Sequence, residues 1–239
     1  AGVGGAASKP ILLPKEKGGG LEIQGLLRRE AGALVYDLTF TNHSGAGLDG
    51  FMIQINKNAF QLAPAGPLTL PALSPGQSAS TLLPMVFTGS PAPVTVPLEL
   101  QVAIKSPRQN PSVLIYSDPI KLGPLLMPEG NIDRARFPGL WTSLPAENER
   151  SATLAGALPP TPEALAAKLA PVNIFFMHNR PAAAGQQASY FTALAPPTAA
   201  LLVEITGVPG APGAKAVVKT ATPDLAQPLF DAINAALSA

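Results

Sequence analysis

Cysteine is absent from the 239-residue chain, which excludes a disulfide framework and any thiolate metal site. Charge is scarce: Asp, Glu, Lys and Arg make up 13%, and 16 basic against 15 acidic side chains leave a formal net charge of +1. Globular domains ordinarily carry about 25% charged residues, and attraction to nucleic acid or an anionic bilayer needs a field that this balance does not produce. No apolar run reaches the roughly 20 residues that cross a bilayer, so direct membrane insertion is not expected. Residues 1–9 have neither the basic stretch nor the apolar stretch of a leader and read as a linker remnant. A reducing, cytoplasmic setting fits the missing cysteines. Aromatic residues are also few, at 5%, and Trp141 is the one tryptophan.

Proline and glycine are plentiful, at 28 and 22. A proline inside a helix removes a hydrogen bond and clashes with the preceding turn, at about 3 kcal/mol, so a mostly helical fold is excluded. Hydrophobic residues still reach 46%, enough to build a core. Short strands separated by turns are the expected outcome.

Period-two patterning bears this out in the first half. Tyr36, Leu38 and Phe40 alternate with Asp37, Thr39 and Thr41. Phe51, Ile53 and Ile55 take one face against Met52, Gln54 and Asn56. In 97–104, Leu98, Leu100, Val102 and Ile104 alternate with Pro97, Glu99, Gln101 and Ala103. Each run describes a strand with one face in a core. Turn clusters at Asn42–Gly45, Ser74–Gly76 and Ser106-Pro107 separate them, as in an antiparallel β-sandwich of about seven strands. Asn42-His43-Ser44 matches a glycosylation triplet, which is set aside for want of a leader.

After about residue 124 the pattern becomes mixed. Thr161-Pro162-Glu163 and Thr222-Pro223-Asp224 are helix starts: a capping hydroxyl, proline in the first turn and an acid near the positive dipole end. The second leads to a stripe of Leu229, Ile233 and Leu237, with regular helix expected from near 227 because of Pro228. Residues 173–178, 188–194, 200–206 and 214–219 read as strands. The expected organisation is a sandwich at 10–124 and an α+β subdomain at 125–239.

Catalytic and cofactor signatures are missing. There is no phosphate-binding loop, no HExxH and no GxSxG, so no metal or cofactor is expected. His43 and His178 lack acidic neighbours at ligand spacing, and His178, at the end of an apolar strand, reads as a structural or rim residue. Glu147 and Glu149 could act as a carboxylate pair only inside a deep cleft.

One segment is specific. Trp141-Thr-Ser-Leu-Pro-Ala-Glu-Asn-Glu149 resembles the W-x-x-(I/L)-P-x-E-N-E signature of the β-adaptin appendage, the ear of a clathrin-adaptor β subunit. Lys17–Gly25, Phe51–Phe60 and Leu100–Lys105 resemble further appendage segments in the same order, so the likeness spans about residues 10–237. The resemblance implies an immunoglobulin-like sandwich followed by an α+β platform, without catalytic activity. It implies a role on clathrin-coated vesicles or pits, recruiting accessory and cargo-adaptor proteins through short helical peptides, with clathrin as a further candidate partner. The rest of the adaptor complex would be reached through a hinge and trunk outside this sequence.

Matched position by position, the resemblance assigns Trp141 to the apolar floor of a peptide groove and Tyr190 to its flank. Glu149 and Glu204 would take an arginine of the peptide, and Arg134, Arg180 and Lys219 its acidic end. Aromatic floors give large contact area at low entropy cost, and opposite charges at the two ends orient a charged helix. Read without the family, a lone tryptophan is a core residue, Tyr190 a strand residue and Lys219 a strand-end charge. Glu204, inside Leu201–Ile205, stands out because a carboxylate in so apolar a strand needs solvent or a partner. Arg134 and Trp141 are spaced for one helical face, although Pro138-Gly139 intervenes and would start or kink the helix there. The resemblance also implies a second peptide site on the sandwich, at Gln101 and Lys105. Its central tyrosine is replaced here by Ile115, after an insertion at Ser106–Ser112, and the adjacent Tyr116 points to the other face. That site, with its clathrin contact, is not expected to persist in family form. The rival reading is an unrelated sandwich scaffold whose charges decorate a surface.

Overall fold

A computed structural model describes residues 9–89 and 98–239. Most of the expected linker at 1–9, and Pro97 of the third patterned run, lie outside the described residues. Ile120 closes the first of two compact units and Lys121 opens the main stretch of the second.

The first unit holds β1 (Ile11–Leu13), β2 (Leu21–Glu30), β3 (Ala33–Asn42), β4 (Met52–Ile55), β5 (Leu62–Pro64), β6 (Ser78–Phe87), β7 (Glu99–Lys105) and β8 (Val113–Pro119). They form antiparallel sheets ordered β1-β2-β3-β6-β5 and β4-β7-β8. The alternating residues fill the interior: Leu38 and Phe40 of one sheet and Leu100, Val102 and Ile104 of the other are fully buried. Each such side chain stabilises the fold by roughly 1.5–3 kcal/mol. Phe40 and Phe51 meet with ring centroids 5.5 Å apart. Asn42 is buried completely, its amide donating to the carbonyls of Ala46 and Leu73 at 2.8 and 2.9 Å, so the glycosylation triplet is folded into a turn. In the insertion, buried Gln109 donates its amide to Gly18 O and Gly19 O at 2.6 and 2.9 Å.

A polar group is built into this core. The Tyr36 hydroxyl donates to Asp118 Oδ2 at 2.8 Å and lies 3.5 Å from the Tyr116 hydroxyl. Burial pushes both phenols well above the ordinary tyrosine range, and the neighbouring charges of Tyr116 and Asp118 push Tyr36 further. The folded state therefore keeps two protons that the unfolded chain releases near pH 10. Stability from this source is intact below that pH and is lost as the pH rises above it, at about 1.4 kcal/mol per pH unit per phenol. Urea unfolding from about pH 9 to 11 is expected to show this slope, and Tyr36→Phe to remove about half of it. An unchanged slope in that variant would contradict the assignment.

The second unit holds β9 (Glu149–Thr153), β10 (Phe175–Pro181), β11 (Gln187–Ala195), β12 (Ala199–Gly207) and β13 (Lys215–Lys219), in one antiparallel sheet ordered β10-β11-β12-β13-β9. Its helices are α1 (Phe137–Ser143), α2 (Pro162–Leu169) and α3 (Ala226–Ser238). The Thr161 hydroxyl accepts from Ala164 N at 3.1 Å and caps α2 as its sequence predicts. α3 begins directly after a 3-10 turn at Pro223–Leu225. Pro228 sits inside its first turn, where a missing N–H costs nothing, so the proline does not delay the helix. Alternation along β11 and β12 gives the sheet two faces. Phe191, Leu201, Val203 and Ile205 are buried on one, where Leu165 of α2 and Ser189 line one small cleft. The other carries Tyr190, Leu202 and Glu204 and is covered in part by α1. The architecture is the expected one: an antiparallel sandwich followed by an α+β unit.

Candidate functional site

α1 reaches the sheet through a chain of local devices. Met127 N donates to Leu194 O at 2.9 Å, and Thr192 Oγ1 donates to Gly130 O at 2.8 Å. Gly130 lies so close to β11 that a Cβ there would meet Leu194 N at 2.6 Å. Asp133 accepts from Ala135 N at 3.0 Å, capping a 3-10 turn at Arg134–Arg136 that runs into α1. Leu144 is extended before Pro145, as the residue preceding a proline prefers, and the helix stops. The next turn is tied to the end of β13 by Asn148 Nδ2 donating to Thr220 O at 2.8 Å. Glu149 is thereby paired with Lys219 across the β9–β13 ladder.

These elements bring four aromatic rings together. Phe137, 2% exposed, lies at the centre, with ring centroids 5.7 Å from Trp141, 5.7 Å from Tyr190 and 5.8 Å from His178. Trp141 stands edge-on to Tyr190 at 5.9 Å and is half-buried. His178 is exposed, stacked on the Tyr190 ring at 4.4 Å with 13° between planes. Tyr190 itself is buried, 6% exposed, so its ring lies beneath the surface and His178 and Trp141 lie above it. Neither Phe137 nor His178 was marked by sequence as part of a site.

The charges are interleaved around the rings. Arg180 Nε donates to the Tyr190 hydroxyl at 2.9 Å, and the same hydroxyl bonds the Glu204 carboxylate. Burial raises the Tyr190 pKa, the Glu204 contact raises it further and the Arg180 bond opposes them. The Arg180 guanidinium is held above its usual value by its bond to Tyr190. Thr206 donates to Glu204 Oε1 at 3.0 Å. Lys219 Nζ lies 5.1 Å from the centre of the Trp141 ring and 3.6 Å from Glu149 Oε2. Acids and bases are therefore not segregated into two blocks. Across the sheet, however, the β9 edge carries Glu149, while the β10 edge carries Arg180 and His178. Arg134 lies at that second edge, its guanidinium 5.9 Å from the Phe176 ring. Arg134 lies in the 3-10 turn and Trp141 in α1, so the two do not share one continuous α-helix.

The sandwich candidates fall differently. Tyr116, the doubtful third candidate for the sandwich site, is 6% exposed with its hydroxyl inside the core, facing away from Ile115 as the alternation in β8 predicts, so it does not share the outer face with Gln101 and Lys105. Gln101 and Lys105 are exposed on the outer face of the three-stranded sheet, where Lys105 lies between Met52 and Val113, and Ile115, 71% exposed, lies opposite Ala103. Glu147 and Glu149 are both exposed rather than enclosed in a cleft. Among the described residues no cluster of three or more His, Asp or Glu could hold a metal, and no helix is long and apolar enough to cross a membrane.

Comparison with known proteins agrees with this architecture. Residues 127–237 match the model of the Beta2-adaptin appendage, C-terminal sub-domain, and residues 9–116 that of the Adaptin C-terminal domain. The AP-1 complex subunit beta-1 of Rattus norvegicus is 34% identical over 222 residues, 92% of this chain and 23% of the relative. The Homo sapiens protein of the same name is 37% identical over 175 residues, 73% of this chain and 18% of its own length. The AP-1 complex subunit beta of Dictyostelium discoideum is 25% identical over 220 residues, 91% of this chain and 23% of its own. The chain thus spans about a quarter or less of these relatives. It belongs to the β-adaptin appendage family.

Proposed function

We propose that this chain is a non-catalytic recruiting module of a clathrin-adaptor β subunit, acting on coated vesicles and holding short helical peptides of accessory proteins on the α1-bearing face of its second unit. The observation that carries this reading is the half-buried Trp141 set among fixed rings and paired charges on an otherwise apolar sheet. An aromatic floor offers contact area with little entropy to lose, and charges at opposite edges give a bound helix a direction. The acidic start of the peptide would lie toward Arg180 and Arg134, and its later arginine toward Glu204 and Glu149.

A labelled peptide with an acidic start, Phe and Leu anchors and a later arginine is expected to bind with a Kd in the micromolar range, about −8 kcal/mol, by fluorescence anisotropy. Glu204→Gln removes a charge partner and should weaken binding about 10-fold, by roughly 1.4 kcal/mol. Replacing the peptide arginine by alanine should weaken binding to the unmodified chain by a similar factor and add little to the variant's loss. Full additivity of the two changes would place the arginine elsewhere.

A further inference from the structure

We infer that His178 is a peptide contact that sets specificity, giving the platform a preference for acidic anchors that strengthens as the pH falls. This rests on the peptide-binding reading above and assigns the part of the groove next to Arg180.

The geometry comes from three placements. Tyr190 is buried, and the ring above it at the surface is His178, parallel to it at 4.4 Å and edge-on to Phe137 at 5.8 Å. Two aromatic neighbours fix the imidazole plane, so a ligand meets a pre-set surface rather than a rotating side chain. Along β10, alternation puts His178 and Arg180 on the same face, and Arg180 reaches the same tyrosine. A carboxylate lying toward this edge would meet a guanidinium and, when protonated, an imidazolium.

The groups facing His178 decide the sign. Its own strand contributes the Arg180 guanidinium, which bonds the hydroxyl of the same Tyr190. β11 contributes the Tyr190 ring, whose face favours a cation. Behind Tyr190, β12 contributes the Glu204 carboxylate. α1 contributes the Phe137 ring, edge-on to the imidazole at 5.8 Å. A ligand carboxylate set beside the imidazole stabilises its charged form. Binding and protonation then reinforce one another, and by linkage the affinity rises as pH falls. A difference of half to one pH unit between the free and bound imidazole corresponds to about a 3- to 10-fold change in Kd.

The test is anisotropy with a histidine-free peptide bearing acidic, Phe/Leu and Arg anchors, at about pH 8 and about pH 5.5, which bracket imidazole titration. The unmodified chain should bind about 3- to 10-fold more tightly at the lower pH. His178→Phe keeps a stacked ring without its charge and should bind with the same affinity at both pH values. A His178→Phe variant that retains the full pH dependence, or an unmodified chain whose affinity does not change, overturns the inference while leaving the platform intact. Absence of binding by the unmodified chain at both pH values overturns the platform reading and this inference together.

Discussion

Trp141→Ala should weaken the binding of a helical accessory peptide by at least about 30-fold, a loss of 2 kcal/mol or more, without unfolding the second unit. The ring is held on two sides, with Phe137 at 5.7 Å and the Lys219 ammonium at 5.1 Å, so its position is fixed before any ligand arrives. Truncation removes the floor itself and frees Lys219 to follow Glu149, leaving a charged, hydrated hollow where an apolar anchor would sit. The cost to folding is smaller than the 3–5 kcal/mol of a deeply buried tryptophan, because this ring is only partly buried. Anisotropy titrations with circular dichroism on the same samples separate the two effects. Binding by the folded variant at the affinity of the unmodified chain would sink the assignment of this face as the peptide site.

Local pattern and segment likeness together make much of this legible in the sequence. Period two places Tyr36, Leu38 and Phe40 inward, and it also orients Tyr116 away from Ile115, as found. The same alternation puts Asp118 on the inner face with Tyr116. Capping chemistry locates α2 to the residue. What stays hidden depends on pairing between distant segments. Glu149 opposes Lys219 because β9 closes the far edge of the sheet on β13, and nothing local in either segment specifies that partner. Hence the seven charged and aromatic positions can be named from their motif, while their interleaving cannot. Phe137 is invisible for a related reason. It lies between a 3-10 turn and Pro138-Gly139, where no helical period is established, and its burial depends on side chains delivered by β10, β11 and β12. His178, expected as a structural or rim residue, is exposed, and its stacking on Tyr190 follows from their direct register across β10 and β11.

Phe137→Ala is therefore expected to have the largest effect of any single change on this face. The side chain is almost fully enclosed and touches Trp141, Tyr190 and His178 at once. Truncating a buried phenylalanine costs about 3–5 kcal/mol, part from lost transfer and part from the cavity left behind. Here that cavity would open beneath α1, a seven-residue helix too short to hold its own structure without packing. The second unit should unfold at a lower urea concentration, followed by the near-ultraviolet signal of Trp141, and peptide affinity should fall even in conditions where the sheet remains folded. Phe137→Leu separates the two roles: it keeps most of the apolar volume, so stability should recover to within about 1.5 kcal/mol of the unmodified chain. Binding should recover less, because a branched aliphatic side chain cannot support three rings by face and edge contact. If Phe137→Ala lowers stability by under about 1 kcal/mol and leaves affinity unchanged, the ring cluster is not what positions the floor of the groove.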